Sequence, residues 1–333
     1  VKASVIGAGS WGSAFALHLG RQNIETQLWV REQDIYDEIV RKKENRVFLP
    51  DFIFPSSVSF FHELKDAVNK TDVVFIAVPS KFCRSIYKQL APLLSSNQIL
   101  VSLTKGIEKD SLKRMSEVME EVFLPYFYPK ISVLSGPSFA REVAECHPTA
   151  VVIAAKDFDL AKCIQHLISN AYFRAYTSND ITGVEIAGAF KNVIAIAAGI
   201  SAGLQFGNNS AAALVTRGIA EITRFGVKLG SKMETFSGLA GIGDLVLTCT
   251  GKLSRNRYVG YELGKGKSLD EITSNMKMIA EGIITARSSY QLAKRENVEM
   301  PICEEIYQVL YNNKSPRTAL QDLMSRKLKN EYY

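Results

Sequence analysis

The chain has no CxxC pair. Its five cysteines, Cys83, Cys146, Cys163, Cys249 and Cys303, are odd in number and widely spaced, which excludes a disulfide framework and a zinc ribbon and suggests free thiols in a reducing compartment. The four histidines include no HExxH or HxxxH spacing, so no protein metal site is expected. Runs of five or six like charges are also missing. The net charge of +6 is spread along the chain without a helix-turn-helix, zinc-finger or RNA-recognition signature. Nucleic acid is therefore not an expected partner, whereas a mildly basic chain suits a phosphorylated ligand. The longest uncharged segment, 192–216, loses its apolar character near Leu204, where QFGNNS follows, so a buried core helix is expected there instead of a membrane span. No cationic flank with a removable apolar segment and cleavage site opens the chain, and a cytoplasmic location is expected.

What is present is the composition of an ordinary globular protein, 47% hydrophobic and 22% charged, in 333 residues, long enough for two domains. The first half alternates helical patterns with short apolar, β-branched runs at 1–7, 26–30, 73–78, 99–104, 131–136, 149–155 and 171–178. Continuous apolar strands separated by helices predict a mostly parallel sheet covered on both faces. From about Asn179 glycine and alanine become frequent, the period turns helical, and no further strand is expected. The fold class expected is α/β: an N-terminal Rossmann-like doubly wound sheet over 1–180, followed by an all-α C-terminal domain over 181–333.

Four strand ends carry unusual residues: GAGSWG, VPSK, LTKG and SGPS. In a doubly wound sheet these turns face one crevice. GAGSWG sets Gly7, Gly9 and Gly12 between a strand and a helix, the context that a dinucleotide fingerprint needs. Gly7 allows the tight turn, Gly9 close approach to a pyrophosphate and Gly12 close helix packing, with backbone N–H groups at Ser10 and Trp11 facing the phosphates. At the end of the second strand, Arg31 suits a 2′-phosphate and favours NADP, while Glu32 beside it keeps NAD open. Lys105 can reach into the crevice from LTKG. A helix starting at Ser138 would offer its first N–H groups to an anion or a carbonyl.

The segment AGAFKNVIAIAAGI places Lys191 and Asn192 side by side in a helix that is otherwise small and apolar. Residues three and four positions from Lys191 carry no charge to pair with it, so a buried ammonium there must find a distant partner or lose its proton. Asp244, behind the three glycines of GLAGIGD, is the candidate partner. Downstream, Ser254, Arg255, Asn256 and Arg257 gather hydroxyl, guanidinium and amide donors at the start of a helix, as a phosphate monoester requires. A dinucleotide site, a desolvated lysine and phosphate donors together fit hydride transfer on a small phosphorylated ketone or alcohol, with Lys191 handling the proton. Two rivals stay open, a hydroxy-acid or sugar-acid dehydrogenase and a non-catalytic dinucleotide sensor.

With GAGSWG, SLTKGIE, LSGPSFARE, GVEIAGAFKNVIAIAAGI, GLAGIGDL, SRNRYVG, AEG and MPICEEIY, the chain resembles the soluble bacterial NAD(P)-dependent glycerol-3-phosphate dehydrogenases over nearly its whole length. The resemblance implies reversible reduction of dihydroxyacetone phosphate to sn-glycerol 3-phosphate, which feeds glycerophospholipid synthesis in the cytoplasm, by members that are commonly dimers. It implies Lys191 as the proton donor or acceptor. Substrate contacts implied are Lys105, Gly136, Ser138, Asp244, Ser254, Arg255 and Asn256. Cofactor contacts implied are Ser10, Trp11, Arg31, Lys105, Ala140, Arg255, Ile279 and Glu281.

Overall fold

A computed structural model describes residues 1–333 except Asn275, Lys277, Ile279, Tyr332 and Tyr333. Among the described residues ten strands occur in chain order: β1 (Lys2–Ile6), β2 (Glu25–Trp29), β3 (Glu44–Asn45), β4 (Leu49–Ile53), β5 (Val58–Phe61), β6 (Val73–Ile76), β7 (Ile99–Ser102), β8 (Lys130–Ser135), β9 (Thr149–Ala155) and β10 (Phe173–Ser178). Eight form one sheet in the order β10-β9-β8-β7-β6-β1-β2-β5, while β3 and β4 form a separate antiparallel hairpin. Six of the eight run parallel. β9 is antiparallel to β8, and β10 follows β9, so the last two strands extend the sheet in the reverse direction.

Successive side chains of a strand point to opposite faces, and here both faces are apolar. On β6, Val73 and Phe75 enter the core beneath the helix Ser10–Arg21, whereas Val74 and Ile76 enter the core beneath the helices Ser80–Leu90 and Met115–Phe123. All seven expected strands are present: four are shorter by two residues, two are shifted by one, and 149–155 keeps its bounds. The sequence reading missed β5 and the hairpin. VSFF is a four-residue edge strand in which only Val58 and Phe60 are buried, too short to show a period.

Beyond Ser178 no strand occurs among the described residues. This helical domain wraps around the helix Ile181–Gly203, in which every residue but Thr182, Ala202 and Gly203 is buried. Asp180 caps its start, accepting from the Gly183 N–H at 2.8 Å. At 23 residues the helix is long and apolar enough to cross a membrane by length and composition, yet it is the core element of the domain, the buried helix expected from the sequence. Its tightest neighbour is the helix Arg255–Gly264. A Cβ on Gly199 would lie 2.1 Å from the Arg257 carbonyl oxygen, and one on Gly260 would lie 2.0 Å from that of Ile196, so the two backbones approach as closely as glycine permits.

Candidate active site

At the end of β1 the chain turns sharply into the helix Ser10–Arg21. Gly7 holds φ at +110°, a region that L side chains avoid, and a Cβ on Gly12 would sit 1.8 Å from the Gly7 carbonyl oxygen. At Gly9 a Cβ would meet nothing within 4 Å. The turn is therefore tight where the chain must pack and open where a ligand would approach. Gly9 is the N-cap and supplies no side-chain bond to the first turn, and the Trp11 indole N–H is buried without a partner. These uncapped donors suit a pyrophosphate. The Ser10 hydroxyl donates to the Phe48 carbonyl at 2.7 Å.

Arg31 follows β2 on the surface. Its Nε donates to Glu32 Oε1 at 2.9 Å, its Nη2 donates to the same oxygen, and its guanidinium lies 5.2 Å from the centre of the Phe82 ring. Arginine and glutamate thus neutralise each other where the sequence reading set them in opposition.

Across the crevice the helix Asp244–Thr250 presents Asp244, 1% exposed, with one lysine on each carboxylate oxygen. Lys191 Nζ donates to Oδ1 at 2.5 Å and Lys105 Nζ to Oδ2 at 2.8 Å. Lys191 also donates to Thr248 Oγ1 at 2.8 Å, and that hydroxyl spends its own proton on the Asp244 carbonyl. Lys105 donates further to the Gly136 carbonyl at 2.8 Å and reaches Ser138 Oγ at 3.5 Å. Burial lowers the pKa of Lys191 to about 8, the neighbouring Lys105 charge adding to the effect and Asp244 opposing it. For Asp244, burial pushes the pKa up, but the two ammonium groups outweigh it and hold the carboxyl below its ordinary value.

Lys191 and Asn192 are adjacent in sequence but point about 100° apart around the helix. Asn192 receives a hydrogen bond from Asn256 Nδ2 at 2.8 Å, and Asn256 Oδ1 in turn accepts from the Gly282 N–H at 2.9 Å. Ser254 caps the helix Arg255–Gly264, its Oγ accepting from the Arg257 N–H at 3.2 Å, which leaves the hydroxyl proton to be donated. Arg255, beside them, is exposed.

Several residues sit differently from expectation. The helix after SGPS begins at Ala140, with Phe139 as N-cap, two residues later than read from the sequence. Ser138 instead donates to the Gly136 carbonyl at 2.9 Å, and Gly136 holds φ at +132°. Ala140 opens the short helix Ala140–Ala144, which packs against Ser10–Arg21. Glu281, first in the helix Glu281–Arg295, accepts from the Ser80 N–H at 3.0 Å and from its Oγ at 2.6 Å, joining the helical domain to the VPSK turn. Ile279 lies outside the described residues. Thr248, Asn192 and Ser80 were given no role from the sequence. A signal existed for Thr248, four residues after Asp244 on one helix face. For Ser80 and Asn192 the partners are 201 and 64 residues away, and nothing local announces them.

The N-terminal model of the NAD-dependent glycerol-3-phosphate dehydrogenases matches residues 2–161, and the C-terminal model of the same family matches 180–321. The chain belongs to this family. A glycerol-3-phosphate dehydrogenase [NAD(P)+] of Geobacter sulfurreducens is 50% identical over 98% of both chains, and one of Syntrophobacter fumaroxidans is 49% identical over 98% of this chain and 96% of that protein. The crystal structure of the glycerol-3-phosphate dehydrogenase of Coxiella burnetii superimposes with a TM-score of 0.93 at 36% identity, covering 98% of this chain and 99% of that one. The family membership matches the architecture, a sheet with a glycine turn at one end and a helical domain that brings buried charges to it. Among the described residues no group of His, Cys, Asp and Glu could hold a metal ion.

Proposed function

We propose that this chain catalyses the reversible NAD(P)H-dependent reduction of dihydroxyacetone phosphate to sn-glycerol 3-phosphate, the backbone precursor of glycerophospholipids, in the cytoplasm. The observation that carries this reading is the buried Lys191–Asp244–Lys105 cluster with phosphate-type donors next to it. In this reading residues 1–180 bind the dinucleotide and 181–333 bind the substrate. The cofactor is held by Gly7, Gly9, Ser10, Trp11, Gly12, Arg31, Lys105, Ala140, Arg255 and Glu281, and supplies the hydride to the substrate carbonyl carbon. Ile279 belongs to the same group by family resemblance.

Ser254, Arg255 and Asn256 bind the phosphate, and Gly136, Ser138 and Lys105 position the carbinol end. As the carbonyl carbon gains a fourth substituent and its π bond to oxygen breaks, negative charge grows on the oxygen, and the Lys191 ammonium gives that oxygen a proton. Oxidation runs the same step backwards, with neutral Lys191 taking the proton. Asp244 keeps its charge in both directions and fixes both lysines in place. The uncapped first turn suits the pyrophosphate common to both cofactors, the basic Arg31 favours NADPH, and the Arg31–Glu32 pair supports use of NADH as well. Dimers, common in the family, are the assembly expected here.

The deciding experiment follows NADPH absorbance on adding dihydroxyacetone phosphate, repeated with NADH and with unphosphorylated dihydroxyacetone. Oxidation that requires the phosphate is the expected result. A folded protein that binds NADPH but oxidises it with neither ketone would overturn the reading.

A further inference from the structure

The hairpin formed by β3 and β4, residues 44–53, belongs to neither the sheet nor the helical domain, and no role described so far uses it. It is nonetheless fastened at both ends to turns that carry the cofactor residues. At its inner end Asn45 is fully buried. Its Nδ2 donates one hydrogen to the Ala8 carbonyl and the other to Ser13 Oγ, both at 2.8 Å, and its Oδ1 accepts from the Phe48 N–H at 3.1 Å. The Phe48 carbonyl then accepts from Ser10 Oγ at 2.7 Å. At the outer end Arg141, from the helix that Ala140 begins, donates to Asp51 at 3.2 Å and lies 5.6 Å from the Phe52 ring centre.

We propose that Asn45 is a positioning residue for the dinucleotide: through three hydrogen bonds it sets the hairpin against the glycine turn and fixes the Ala8 carbonyl and the Ser10 hydroxyl beside the open face at Gly9. This rests on the cofactor reading above. An amide is the side chain that supplies two donors and an acceptor from one planar end, so neither aspartate nor serine can replace it. An aspartate would turn a carboxylate oxygen toward the Ala8 carbonyl and add a negative charge next to the site for the pyrophosphate, where both repel.

The test compares Asn45→Asp and Asn45→Ser with the wild type in steady-state kinetics and in NADPH binding followed by fluorescence. Asn45→Asp is expected to raise both the KM and the Kd for NADPH by tenfold or more, while kcat at saturating NADPH and the KM for dihydroxyacetone phosphate stay within about threefold. Asn45→Ser, which adds no charge, is expected to show the same split at smaller size, and decides the matter should the aspartate variant fail to fold. Unchanged NADPH affinity in a folded variant, or a kcat that falls while affinity holds, overturns the proposal. A wild-type chain that binds no dinucleotide overturns the cofactor reading, and this proposal with it.

Discussion

The two halves of the crevice are made in different ways. At the glycine turn the sheet domain offers backbone: a positive φ at Gly7, a contact at Gly12 that only hydrogen fits, and uncapped N–H groups of one helix. At Asp244 the crevice is built from side chains, Lys191 of the helical domain and Lys105 of the sheet domain meeting on one buried carboxylate. A backbone site follows from local sequence and is complete once strand, turn and helix form. A side-chain cluster of buried charges exists only after distant segments meet, and its environment then sets its titration: burial lowers the pKa of Lys191, while the two ammonium groups hold that of Asp244 below its ordinary value.

The largest effect should come from breaking the side-chain half. Lys191→Ala is expected to lower kcat by a factor of roughly 10² to 10⁴, the usual worth of a positioned general acid, while NADPH affinity stays close to wild type. Turnover near that of the wild type would remove Lys191 from the mechanism. Next comes the backbone half. In Gly12→Ala the new methyl group would lie 1.8 Å from a main-chain oxygen, so strand and helix must separate. NADPH affinity should drop by roughly tenfold to a hundredfold with a lowered Tm, consistent with overpacking costs of about 1–3 kcal/mol; calorimetric titration and a thermal melt read both. Unaltered affinity would mean that the turn does not hold the cofactor.

Arg31→Ala sharpens the comparison, since Arg31 is the side chain proposed to tell NADPH from NADH. The KM for NADPH should rise about tenfold, the worth of one exposed charge-assisted contact, and the KM for NADH should hardly move. Equal loss for both cofactors would show that Arg31 does not read the 2′-phosphate. The pH dependence of kcat tests the helical side without mutation. With Lys191 at about 8, reduction needs the protonated amine and should fall as pH rises through 8, while oxidation should rise through the same range. Profiles that are flat from pH 7 to 9 in both directions would separate Lys191 from proton transfer.

The smallest effect concerns stability. In the sheet domain the buried His18 has its pKa lowered by burial to about 4, so it is neutral and does not titrate near pH 7. In the helical domain Glu221 has its pKa raised by burial to about 7, against the N–H groups of Ile302 and Cys303 that it caps. Folded Glu221 holds its proton between 4.5 and 7 while the unfolded chain releases it, so its contribution to stability is greatest at low pH, declines as pH rises through that window, and is fully lost above 7. The Tm of Glu221→Gln should therefore depend less steeply on pH between 5 and 7 than that of the wild type. Parallel curves would show that Glu221 does not titrate there.

This contrast also explains what the sequence could show. The fingerprint at Gly7, Gly9 and Gly12 was legible because its parts are neighbours, and Lys191 was conspicuous because a lone ammonium in an apolar helix breaks a local rule. The Lys105–Asp244 ion pair, 139 residues apart, and the Ser80–Glu281 bridge depend on how two domains pack, which no local period records. The reversal of β9 and β10 was hidden for a similar reason: an apolar strand reads the same in either direction. β3 and β4, short and partly exposed, show too little alternation to read as strands.

The helix Ile181–Gly203 has one more consequence, for the chain as it is made. A helix of 23 mostly apolar residues leaving a ribosome meets the length requirement of a membrane-inserted segment. Lys191 is the eleventh of them, next to the midpoint, where a lysine opposes insertion by about 2.5–3.5 kcal/mol. The ammonium that the folded protein keeps against Asp244 thus also biases the nascent helix away from the bilayer. Replacing it with leucine would remove that bias along with the proposed base.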